Sequence, residues 1–84
     1  MIRLTKHALE RIKSRNISFV EIREAVMRPD VTFKDKYGNT IAQKQSNDKI
    51  LRVVYRKKEN DIIIITAYKT SKIRKYLKAK EKPE

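Results

Sequence analysis

The sequence predicts an α+β fold: two N-terminal helices, a four-stranded antiparallel sheet and a C-terminal basic helix. Three observations predict it. Residues 50–55 and 62–68 are apolar runs rich in Val, Ile, Thr and Tyr, and the charged stretch Arg56 to Asp61 separates them as the turn of a long antiparallel pair would. Two segments ahead of them carry apolar residues at helical spacing, each with a residue fit to cap it. After Tyr68 the chain turns basic, with Ile73, Tyr76 and Leu77 again at helical spacing.

The first helix is expected over residues 5–16, with Thr5 as N-cap and Leu4, Ala8, Leu9 and Ile12 as its apolar stripe. His7, Arg11 and Arg15 fall at i, i+4 and i+8, in one row beside that stripe. The second helix is expected over 18–28. Ser18 and Glu21 have capping-box spacing, and Ile17 and Ile22 sit where a hydrophobic staple needs them. Pro29 stops it, because its ring disfavours helical geometry at Arg28. Residues 31–37 alternate as a strand, and Gly38-Asn39 offers a tight hairpin to a return strand from Thr40 to Gln45. Ser46 to Lys49 is a turn cluster. The two strongest strands follow, then the basic helix from about Ser71, in the order ααββββα.

Strand parity sorts the side chains. Leu51, Val53 and Tyr55 share one face of their strand and Ile63, Ile65 and Ala67 one face of the next. These apolar sets should lie under the helices. The other face then carries Arg52, Arg56, Thr66 and Tyr68, a basic platform with a tyrosine that suits a phosphodiester and a base.

At 84 residues the chain is one domain, 1–84, with a basic tail over about 78–84. It has no cysteine, hence no disulfide and no thiolate metal site, which fits a reducing cytoplasm. No apolar run is long enough to span a bilayer, and the start lacks a signal-peptide core. Twenty-two Lys and Arg against ten Asp and Glu give a net charge of +12, which favours a polyanionic partner, most often nucleic acid. Between Lys69 and Lys82 the basic side chains, Lys72 and Lys75 among them, read either as a solvated helix face and tail or as an electrostatic arm for RNA or the ribosome.

His7 is the single histidine and a candidate general acid or base. Arg52 interrupts an apolar strand, where a guanidinium needs a phosphate, or a carboxylate such as Asp35, to offset its desolvation. Tyr68 and Tyr76 serve either as half-buried packing or as site residues. There is no zinc-ligand pattern, P-loop, dinucleotide fingerprint or nucleophile elbow. No metal or cofactor is expected. A metal-free ribonuclease fits this inventory, because RNA supplies its own 2′-OH nucleophile and the protein need only move protons and stabilise charge. An RNA-binding module without catalysis, or an interaction protein for an acidic chain, fits the same residues.

The run His7-Ala8-Leu9-Glu10-Arg11 resembles the H-A-x-x-R start of small RelE-like domains of unknown function. Ile65 to Ser71, closed by Tyr76, is similar to the strand end and basic helix of BrnT-type ribonuclease toxins, with Tyr68 standing where those sequences have arginine. The resemblance implies a RelE-like fold, metal-independent endoribonuclease activity on RNA, often mRNA, and an acidic antitoxin partner. By position it implies that Arg52 holds the scissile phosphate, His7 or Tyr76 moves protons, and Arg11 and Lys69 assist electrostatically.

Overall fold

A computed structural model describes residues 1–71. It contains β1 (Ile2–Leu4), α1 (Lys6–Ser14), α2 (Phe19–Met27), β2 (Val31–Lys34), β3 (Thr40–Ser46), β4 (Lys49–Lys58) and β5 (Asp61–Thr70). The strands form one five-stranded mixed sheet in the order β1-β5-β4-β3-β2. This corrects the expected four-stranded antiparallel sheet and its ααββββα order. The extra strand is β1, which pairs parallel with β5 through Ile2↔Ile62, Arg3↔Ile63 and Leu4↔Ile64. Its period-2 pattern covers only three residues, and Leu4 reads equally well as the start of a helical stripe. The expected C-terminal helix from about Ser71 lies outside the described residues, as do Lys72, Lys75 and Tyr76.

Both helix starts follow their local chemistry. The Thr5 hydroxyl accepts from the Ala8 N–H at 3.0 Å, while the Thr5 N–H itself donates to the Ile64 carbonyl at 3.2 Å. One residue thus ends β1 and begins α1. In α2 the Ser18 hydroxyl accepts from the Glu21 N–H and the Glu21 carboxylate from the Ser18 N–H, closing the capping box. Each such cap contributes about 1 kcal/mol.

The turns differ in two places from expectation. β4 runs on through Arg56 to Lys58, which pairs with Asp61, so the turn before β5 is only Glu59 and Asn60 rather than Arg56 to Asp61. The chain between β2 and β3 is a loop from Asp35 to Asn39 rather than a two-residue Gly38-Asn39 hairpin, and of these residues only Gly38 has positive φ, at 85°. Asp35 organises it, accepting from the Tyr37 and Asn39 N–H groups and from the Asn39 side-chain amide. The β3–β4 turn has Asn47 at φ 59°, a conformation asparagine tolerates.

The core lies between the helices and one sheet face. Ala8, Ile12, Ile17, Ile22, Ala25 and Val26 pack there on Ala42, Leu51, Val53, Tyr55, Ile64 and Ala67. Leu51, Val53, Tyr55 and Ala67 are on the expected side. Ile64 is not: parity placed Ile63 and Ile65 under the helices, yet Ile64 is fully buried there and Ile62 packs beside it. The reason is a β-bulge. Val54 pairs with Thr66 and Tyr55 with Ile64, so Ile65 is the extra residue and the side-chain alternation inverts across it.

The bulge gives a direct stability test. Ile64→Ala should cost roughly 2–5 kcal/mol in urea unfolding, and Ile65→Ala clearly less. Equal losses, or the reverse ranking, would contradict the inverted alternation.

Candidate nucleic-acid interface

The sheet has a second face, opposite the helices. Sheet register lines up Val31, Gln43, Arg52 and Tyr68 across β2, β3, β4 and β5. Beside this row runs Phe33, Ile41, Val54 and Thr66, and further along Arg3, Ile63 and Arg56. Arg52, Arg56, Thr66 and Tyr68 therefore do share this face. It is more apolar than a simple platform, since Ile50 at 1 % exposure also points this way.

Arg52 and Tyr68 form its centre. An Arg52 Nη1 N–H donates to the Tyr68 hydroxyl oxygen at 2.8 Å, and the guanidinium carbon lies 5.8 Å from the centre of the tyrosine ring. Both side chains are half-buried. Asp35, weighed above as a carboxylate for Arg52, is engaged with its own turn. Burial is the largest single influence on Asp35 and pushes its pKa up. The donors from Asn39 and Tyr37 and the nearby charge of Arg56 outweigh it and hold the carboxyl below its ordinary range. Arg56 Nε donates to the Asn39 side-chain oxygen at 3.1 Å, which ties this cation to the same turn.

Gln43 was not singled out from the sequence. It is 2 % exposed, and its Oε1 has no hydrogen-bond donor among the described residues. A buried acceptor in that state costs about 1–3 kcal/mol. A glutamine amid Thr40, Gln45 and Ser46 gives no sequence signal; only the register puts it beside Arg52.

The remaining candidates lie elsewhere. His7 and Arg11 are exposed on α1, on the helix side, where Arg11 Nε donates to His7 Nε2 at 3.3 Å. The sheet stands between this pair and Arg52, so the structure does not gather His7, Arg11 and Arg52 at one point. Arg15 donates to the Ala67 carbonyl at 2.8 Å, beyond the end of β1 where the margin of β5 has no strand neighbour among the described residues. Lys69 also faces the helices, at 2.7 Å from the Glu21 carboxylate. Arg15 and Lys69 thus hold α1 and α2 to β5. Among the described residues no group of three or more His, Asp or Glu side chains could hold a metal ion, and no helix is long and apolar enough to cross a membrane.

Fold and face together define a small α+β domain with helices on one side of a mixed sheet and an arginine–tyrosine pair on the other. Residues 4–69 match the family described as Domain of unknown function (DUF4258), and the chain belongs to that family. No curated protein and no solved structure matches the chain.

The Glu21–Lys69 pair has a pH signature. The hydrogen bond from Lys69, then that from the Ser18 N–H, lowers the Glu21 pKa from its ordinary value of 4.5, against the opposing effect of burial. A depressed folded-state pKa contributes stability above the unfolded value and loses it as pH falls through the folded one. Urea midpoints measured downward from pH 5 should therefore fall more steeply for the wild type than for Glu21→Gln. Parallel curves would show that the pair contributes nothing to folding.

Proposed function

We propose that the sheet face opposite α1 and α2 binds RNA, with Arg52 at a backbone phosphate and Tyr68 beside it offering its ring to a base. The observation that carries this reading is the half-buried Arg52–Tyr68 contact at the middle of that face. A guanidinium oriented by a phenol is prepared for two-point recognition of a phosphate, and an aromatic ring next to it is a stacking surface open to any base. Arg56 on the same face adds positive charge, Arg3 there being paired with Asp61, and the net charge of +12 supports a polyanionic partner. A cytoplasmic location is part of this reading, and the absence of cysteine supports it. An acidic antitoxin-like protein covering this face would compete with RNA.

The same contact favours a second reading, metal-independent RNA cleavage of the toxin kind. The 2′-OH gives up its proton and attacks phosphorus, the P–O5′ bond breaks, and the departing O5′ takes a proton, leaving a 2′,3′-cyclic phosphate. Arg52 would offset the charge gathering on the phosphate oxygens, and Tyr68 is the phenol placed to move a proton. His7 and Arg11 take no part in that step, because they stand on the other side of the sheet.

One titration series tests both readings. Single-stranded RNA binding, followed by anisotropy, should weaken with KCl at a log–log slope near −3 if about four phosphates are neutralised. Arg52→Ala should lower affinity at least about tenfold, or ~1.4 kcal/mol, with Arg52→Lys losing less and His7→Ala unchanged. Affinity unaltered in Arg52→Ala would remove this face from consideration. Under EDTA, a cyclic-phosphate product that disappears in Tyr68→Phe selects cleavage; tight binding with intact RNA selects the binding module.

A further inference from the structure

A different surface carries an apolar hollow. It measures about 520 Å³ and is lined by Met1, Ile2, Phe19, Arg23, Met27, Asn60 and Ile62. Three of these are among the most exposed large apolar side chains of the described residues: Met1 at 81 %, Met27 at 62 % and Phe19 at 48 %. Apolar groups gathered in one concavity, rather than scattered singly, mark an interaction site.

The pattern within the hollow is specific. Phe19, Arg23 and Met27 stand at i, i+4 and i+8 along α2, so one wall presents apolar, cationic and apolar groups over about 12 Å. The opposite wall is the start of the chain, the beginning of β5 and the turn before it. Among the described residues no carboxylate lines the hollow and Arg23 makes no ion pair. The complementary surface is an apolar–acidic–apolar row of the same length, which two to three turns of an amphipathic helix provide.

We propose that this hollow is the docking site for an acidic amphipathic helix of a partner protein. A second copy of this chain is the poorer occupant, since each copy brings a charge of +12 to the contact. An acidic partner gains from that field, and its carboxylate meets Arg23 between two apolar anchors. The surface lies on the helix side and does not rest on the RNA reading.

The test uses the full chain and a synthetic, end-blocked helical peptide of about four turns. Its leucines are spaced to form one stripe and its other positions are glutamate. Controls are a scrambled peptide of the same composition and one with lysine for each glutamate. The acidic amphipathic peptide should bind, with NMR shift changes centred on Ile2, Phe19, Arg23 and Met27. Met27→Glu and Arg23→Glu, both at exposed positions that leave the core intact, should each weaken it about tenfold while RNA affinity stays unchanged. Three outcomes would overturn the proposal: equal binding of the scrambled peptide, shifts mapping to the sheet face that carries Arg52, or no binding below millimolar concentration.

Discussion

The extra residue in β5 is the constraint on which the two-sided character of this protein depends. β4 and β5 form the long central pair of the sheet, and without a break their alternation would be continuous. The bulge at Ile65 lets one strand serve two demands. Before it, Ile62 and Ile64 point to the helices; after it, Ala67 and Lys69 do so, while Thr66 and Tyr68 reach the other side. A regular strand would put either Ile64 out of the core or Tyr68 away from Arg52.

The charge of the chain is not all available to a partner. Arg15 is occupied by the Ala67 carbonyl, Lys69 by Glu21, Lys44 by the Arg28 carbonyl and Lys34 by the Thr40 hydroxyl. These contacts tie helices and turns to a sheet that is short of carboxylates. They also protect open backbone: Arg15 covers β5 where β1 has ended, a place where an added strand would otherwise pair. Among the described residues, further cations stand on the sheet face that carries Arg52 and, exposed, on the outer surfaces of α1 and α2. The two surfaces differ in kind. Arg52 and Tyr68 offer fixed polar geometry among half-buried neighbours, whereas Phe19, Arg23 and Met27 offer exposed apolar area around one charge.

The candidate site was legible only in part. Arg52 stood out because a guanidinium within Leu51, Val53 and Val54 demands an explanation, and Arg56, Thr66 and Tyr68 were assigned to its face by alternation alone. That assignment survives for Thr66 and Tyr68 because both follow the bulge, as does Ala67, while Ile63 and Ile64, which precede it, change sides. The spacing of His7, Arg11 and Arg15 suggested convergence, and His7 and Arg11 do meet. Spacing along a helix says nothing about which side of the sheet that helix covers, and here it covers the side away from Arg52.

By itself the sequence determined the local chemistry of this protein. The Thr5 and Ser18 caps, the stop at Pro29, the Val- and Ile-rich strands and the turn at Asn47 follow from dihedral preference and hydrogen bonds within a few residues. Tertiary structure alone decided three things: that Ile2–Leu4 is a strand, that Ile65 is a bulge, and that Gln43 lies beside Arg52. Each depends on a partner distant in the chain. Three residues of alternation cannot make a strand until β5 supplies the hydrogen bonds, and a bulge exists only relative to the strand it is paired with.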